Sequence, residues 1–468
     1  MATISTDTGA QKGIAPTQTA GTQTGVAPAQ GSGTKKLTVF DMIIYGLIMM
    51  VPIAPFSIYA GVTNASGGMS AIAYAIAFFA MIFSVLSFGV MIRTFPSSGS
   101  IYSYTSKSFG PALGFIAGWL MLLQYLVSPD LVVIMASEEL SHYVPAMPVW
   151  GWCLIFLGFV VFVATRGMQA TMLVNRIALA CEIIVLCMFA FFSIRYILAN
   201  PTTAGFTTTA LFNPQTFSIS SVMSGVSLAV FSFVGFGCVA TLTEEAKHPR
   251  KGPARAMLIM VIILAVLFVT TCYLATCVDP SGEICRQNPT NGFYQIAERV
   301  GGTWFGQRCA IAVALSQGIF TALVVLVSVS NILQVMGRTG SLPKALAHKN
   351  AKGVPIVAML FTAVLSVALL LPFLIIGMDD LATVVNFGAL TTYFLLNLCV
   401  FWYYWVKQKD HSNPLRLLIC PLIGAVIIGA IFISLDTTAH IIGAAWIIVG
   451  IVYYLVATRV LKRDIKME

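Results

Sequence analysis

The chain has 468 residues, 58% of them hydrophobic and 9% charged, with a formal net charge of +9 and a mean hydropathy of +0.89. Soluble proteins carry roughly a quarter charged residues, so a soluble enzyme of this length could not cover so much apolar surface. The positive charge comes without a dense basic run interleaved with aromatics, which argues against a nucleic-acid partner.

What remains is a polytopic membrane protein, with room for about a dozen spans of ~20 residues. Residues 1–36 are rich in Thr, Gly, Ala and Gln, carry only Asp7, Lys12, Lys35 and Lys36 as charges, and have no apolar run. They read as a disordered cytoplasmic tail and not as a cleaved signal peptide. The transporter domain covers 37–460, and 461–468 forms a second tail. Within the domain the apolar segments are 39–64, 69–93, 112–139, 147–164, 172–197, 218–247, 254–277, 308–336, 355–376, 381–405, 414–434 and 439–460. No period-2 alternation occurs, which excludes a membrane β-barrel.

Lys and Arg test this map. With the N-terminus inside, only Arg195, Arg286, Arg299 and Arg308 of the 26 basic residues fall outside, while the acids show little bias. The positive-inside rule therefore supports twelve spans with both ends cytoplasmic in the cell membrane. Eight of the ten cysteines sit in apolar segments, as small hydrophobes. Cys277 and Cys285 flank an outside loop, and whether they pair is left open.

Two spans contain helix breakers near mid-membrane. The first reads Tyr45 to Phe56, with Pro52 and Pro55; the sixth reads Phe231 to Gly237, with Gly235 and Gly237. Proline removes a backbone donor and glycine lets backbone approach a ligand. The breaks lie 180 to 185 residues apart, and the second and seventh segments start 185 apart, at 69 and 254. Short amphipathic stretches also correspond: Ile101-Tyr102 leads to Phe109-Gly110, and Phe293-Tyr294 leads to Val300-Gly301-Gly302 on the opposite face. This is the pattern of an inverted repeat of five plus five spans, about 39–197 and 218–405, followed by extra helices at about 414–460.

Four stretches resemble the amino acid–polyamine–organocation superfamily. Phe95 to Tyr104 is similar to its Pro-x-x-Gly-x-x-Tyr inner loop. Phe231 to Gly237, with Thr243 to Pro249, is similar to its sixth helix and exit. Ser330 to Arg338 with Leu342-Pro343 is similar to the end of its eighth helix, and Asn386 to Leu390 sits in its tenth. The prolines between Met50 and Phe56 look most like the putrescine-importer branch, alongside the amino acid permeases, although Gly237 stands where that branch often carries an acid. The resemblance implies an all-α leucine-transporter-like fold with broken helices 1 and 6, and secondary active uptake of an amino acid or related amine by proton symport. The alternatives are a putrescine importer or an amino acid exchanger.

The breaks supply the candidate substrate site: Met49, Met50, Val51, Pro52, Ile53 and Ala54 in the first, and Phe231, Ser232, Phe233, Val234 and Gly235 in the second. Half-helix N-termini suit a carboxylate and C-termini suit an ammonium, so the two breaks can clamp a zwitterion without a charged side chain. Tyr125 and Asp130 of the third span are further candidates, Asp130 as an amine contact. Asp130 and Glu182 are the only acids inside spans, and such groups normally face a cavity or a partner. Glu182 is the candidate proton carrier, near the middle of the fifth span, at about the height where some relatives place a Lys. Glu244 and Glu245, beside Lys247, Arg250, Lys251 and Arg255, suggest a cytoplasmic salt-bridge gate.

No His or Cys spacing suits a metal, no cofactor motif occurs, and no nucleotide loop marks a pump. An intramembrane enzyme would need paired acids or a nucleophile with its base. The expected partners are a small-molecule substrate, protons and the bilayer; the oligomeric state stays open.

Overall fold

The computed structural model describes residues 36–460, apart from 203, 351, 377, 434 and 436. The two expected tails, 1–36 except its last residue and 461–468, lie outside the described residues.

Among the described residues, 10 helices are long and apolar enough to cross a membrane, and a bent helix pair makes 11. The 17-residue helix Val149–Thr165 is slightly shorter and stands for the fourth predicted segment. The bent pair is the first span: Val39–Met50 and Pro55–Ala65, at 55° to one another. The second span is Ser70–Thr94, the third Pro111–Tyr143, the fifth Met168–Ala199, and the seventh Gly252–Val278. The eighth is Thr303–Arg338, the ninth Ile356–Ile376, the tenth Met378–Val400 with a π-helical extension over Phe401–Lys407, the eleventh Leu415–Ile433 and the twelfth Thr437–Arg459.

The order of elements doubles as expected. A broken span, a long span, a short helix and three more spans occur twice. The short helices are Ile101–Phe109 and Gly292–Gly301, each ending at a glycine with positive φ, Gly110 and Gly302.

The sixth span departs from the sequence expectation. It is α-helical only over Ile219–Phe231, and its second half, Phe236–Glu245, is a 3-10 helix. Such a stretch is tighter and less well bonded than an α-helix, and it marks strain or a hinge. A further irregularity is a π-helical turn over Ser316–Thr321 inside the eighth span.

The core lies around the third span, where 83% of the most apolar stretch is buried, against 17% in the twelfth. A buried network ties the tenth span to the second: Ser87 Oγ donates to Asn397 Oδ1 at 2.6 Å, and Asn397 Nδ2 donates to Ser84 Oγ at 2.9 Å. The twelfth span is held to the third by two tryptophans. Trp119 and Trp446 stack at 4.8 Å, and each indole N–H donates to the other's carbonyl at 2.8 Å. Gly450 makes that approach possible, because a Cβ there would lie 2.4 Å from Trp119 Cδ1.

The segment Leu37–Thr38 pins the N-terminal end. Leu37 N–H donates to Glu245 O at 2.9 Å and Leu37 O accepts from Lys247 N–H at 2.8 Å. Thr38 and Asp41 then form a capping box on the first span, and Asp41 is ion-paired to Arg176 of the fifth. Cys277 and Cys285 are buried free thiols in the structure.

Candidate functional site

At the first break the helix stops because Pro52 and Pro55 cannot donate and collide with the preceding turn. Val51 takes φ 51° and ψ 95°, a left-handed conformation that a β-branched residue adopts only under constraint. Turn bonds rebuild the chain: Ala54 N–H donates to Val51 O at 2.7 Å and Phe56 N–H to Ile53 O at 3.0 Å. The carbonyl of Ile48 is taken up by Thr321 Oγ1 of the eighth span at 2.9 Å.

At the second break Phe233 and Val234 fold back on Val230 O and Phe231 O at 2.9 and 3.0 Å. Gly235 follows with φ 120°, and its N–H donates to Tyr393 Oη of the tenth span at 3.1 Å. Only glycine reaches this conformation without cost. The two breaks touch here, since a Cβ on Gly235 would lie 2.9 Å from Met49 Cγ.

Between them lies a cavity of about 90 Å³. Met49, Met50, Val51 and Ala54 line it from the first break, and Phe231, Ser232 and Val234 from the second. The third span contributes Gln124, Ser128, Leu131, Val132 and Met135, and the eighth contributes Gln317, Thr321 and Val325. The lining contains no charged side chain.

The other candidates stand apart from the lining. Pro52 and Ile53 are buried within the first break and turn away from the cavity. Phe233 packs on Phe268 at 5.2 Å and Tyr74 at 6.4 Å, while Phe236 stacks on Tyr393 at 4.7 Å. Consecutive odd positions cannot share one face, which separates Phe233 from Phe231. Gly235 shapes the break from behind Met49. Tyr125 is buried against the sixth span, its hydroxyl 3.6 Å from where a Cβ of Gly237 would sit.

Asp130 is fully buried and lies beside Ser366 of the ninth span. Neither of its carboxyl oxygens has a hydrogen-bond partner. The structure thus places it off the cavity, on the other side of the third span from Ser128 and Leu131. Glu182 is buried too; one oxygen accepts from Ser316 Oγ, and Oε2 has no partner. Ser316 adjoins Gln317, so the carboxyl group is joined to the cavity wall through the π-helical turn.

The expected gate takes other partners. Glu244 pairs with Arg338, from the end of the eighth span, at 2.9 Å, and Lys36 Nζ donates to Glu244 O at 2.9 Å. Glu244 and Lys36 border a second cavity of about 530 Å³ with Glu245, Lys349 and Lys352. No group of three or more His, Cys, Asp or Glu suited to a metal occurs among the described residues.

A cavity where two broken helices meet is the arrangement of a carrier, and comparison with known proteins agrees. The family model described as "Amino acid permease" matches residues 37–466. The chain belongs to the amino acid permease family. The low-affinity putrescine importer PlaP of Escherichia coli (strain K12) is 26% identical over 437 residues, covering 92% of this chain and 95% of that protein. The branched-chain amino acid permease BcaP of Bacillus subtilis (strain 168) is 25% identical over 455 residues, covering 91% and 93%. BcaP of Lactococcus lactis subsp. cremoris (strain MG1363) is 24% identical over 445 residues, covering 89% and 93%. This permease is accordingly a multi-pass membrane transporter and not an enzyme, and its substrate is a small molecule of the amino acid or amine class.

The lining residues that the sequence reading missed include the polar Ser57, Gln124, Ser128, Gln317 and Thr321. The available signal was the four-residue spacing of Gln124 and Ser128, which puts both on one face of the helix.

Proposed function

We propose that this permease imports a small aliphatic amino acid across the cell membrane by proton symport, with both termini cytoplasmic. The observation that carries the reading is the uncharged cavity between the breaks. Its volume of about 90 Å³, several times the roughly 10–15 Å³ needed to hold one water, suits a small molecule. Met50, Leu131, Val132 and Met135 give it an apolar lining for an aliphatic side chain. The C-terminal ends of the first half-helices of both broken spans offer carbonyls and a partial negative charge to an α-ammonium. The branched-chain substrates named for the BcaP relatives agree with such a lining.

Glu182 is the proton-carrying group in this reading. Its carboxyl is poorly hydrated while the site is closed and rehydrates when the site opens to one side. That difference between states is what a coupled carrier requires. The doubled element order supports an inverted repeat over about 39–197 and 218–405 as the machinery that alternates access.

The name of the PlaP relative favours a second reading, a putrescine importer. Two ammonium groups would then be desolvated without a carboxylate in the lining, which is costly. Uptake into proteoliposomes decides: an inward pH gradient should drive accumulation of leucine, valine or alanine. Accumulation of putrescine alone would overturn the amino acid reading, and accumulation indifferent to the pH gradient would overturn symport.

A further inference from the structure

An amino acid bound in the cavity brings a carboxylate, and a buried carboxylate needs donors. The breaks have few to give. Pro52 and Pro55 carry no N–H, and Ala54, Phe56 and Ser57 already donate to Val51 O, Ile53 O and Ala54 O. Ser232, Phe233 and Val234 donate to Ala229 O, Val230 O and Phe231 O, and Gly235 donates to Tyr393 Oη.

The cavity hydroxyls are committed as well. Ser57 Oγ donates to Ala54 O at 3.0 Å, Ser128 Oγ to Gln124 O at 2.6 Å, and Thr321 Oγ1 to Ile48 O at 2.9 Å. Ser232 Oγ shares its hydrogen bond with Tyr74 Oη at 3.2 Å. Each keeps lone pairs for an ammonium, and Ser57, Ser128 and Thr321 have their one proton already in use.

The side-chain amides are the exception. Gln124 lines the cavity, is 2% exposed, and its Nε2 has no hydrogen-bond partner. The Tyr393 hydroxyl, which accepts from Gly235 N–H, stands near this amide without a hydrogen bond to Nε2. A donor so deeply buried and left unused costs free energy unless something else uses it. Gln317 brings a second amide to the lining from the eighth span.

We propose that the Gln124 amide, with Gln317, forms the carboxylate subsite of this permease, adding to the few helix-end N–H groups that the prolines and Tyr393 leave. The proposal rests on the amino acid reading above. It divides recognition into two parts: break carbonyls and hydroxyl lone pairs for the ammonium, and third- and eighth-span amides for the carboxylate.

The test compares each amino acid with the amine it becomes without its carboxylate. Binding of leucine, valine and alanine to the purified full-length protein is measured beside 3-methylbutylamine, 2-methylpropylamine and ethylamine. In Gln124→Met the amino acid should bind about 10- to 100-fold more weakly, the range for losing a hydrogen bond to a charged group, while the amine binds as to the wild type. Gln124→Glu should reverse the preference and favour the amine. Equal losses for acid and amine, or no loss of the acid, would overturn the subsite. A wild type that binds none of the three amino acids overturns the functional reading and this proposal with it. Should Gln124→Met fail to fold, Gln317→Met carries the same comparison, and an unchanged ratio of acid to amine affinity there counts against the proposal.

Discussion

In the proposed symport the energetics rest on one side chain, Glu182. Ser316 satisfies one of its oxygens and leaves Oε2 unpartnered in the membrane interior. Glu182→Gln keeps the shape and an oxygen for Ser316 but cannot titrate. This variant should bind substrate near the wild-type level and exchange it across proteoliposomes. Accumulation driven by a pH gradient should be lost; gradient-driven accumulation at the wild-type level would leave Glu182 a structural residue. The sequence pointed to Glu182 because an acid near the midpoint of an apolar span has few explanations. It did not point to Gln124. The stretch Gln124 to Asp130 holds several polar side chains, and only the rotation of the helix separates them. Gln124, Ser128, Leu131, Val132 and Met135 share the cavity face, while Tyr125 and Asp130 turn off it. Charge drew attention to Asp130, but burial on the wrong face removed it from the lining.

The breaks are the elements on which the site depends, and the sequence marked both by their prolines and glycines. Their internal conformation was not readable there, because it is set by groups far away in the chain. Tyr393 holds Gly235, Thr321 holds Ile48, and the second half of the sixth span settles into a 3-10 helix. Gly235→Leu combines a positive φ, costing about 1–2 kcal/mol for a non-glycine residue, with a Cβ placed 2.9 Å from Met49 Cγ. It should abolish substrate binding while the protein still inserts and elutes as a single species; wild-type affinity would reduce the break to a kink. Tyr393→Phe leaves the Gly235 N–H buried without its acceptor and should lower stability by about 1–3 kcal/mol, read as a lower thermal unfolding midpoint in detergent. An unchanged midpoint would mean that Gly235 finds another acceptor.

At the scale of the molecule, composition, basic-residue asymmetry and the spacing of the breaks were enough to anticipate an all-helical membrane fold with a doubled order of elements. Span ends shifted by a few residues, since hydrophobicity fades gradually where helices leave the membrane. The orientation has its own test. A cysteine replacing Ser281 should react with an impermeant thiol reagent from outside, and one replacing Lys344 should not; both positions are exposed in the structure. Reversed reactivity would invert the map. The claim that joins all three scales is that substrate occupies the cavity between the breaks. It is tested most directly with Ser128→Cys, in an active background from which the ten native cysteines have been removed. The account predicts that a saturating transported amino acid slows the reaction of this thiol with a small permeant maleimide. A reaction rate unchanged by a substrate that the same protein transports would contradict it.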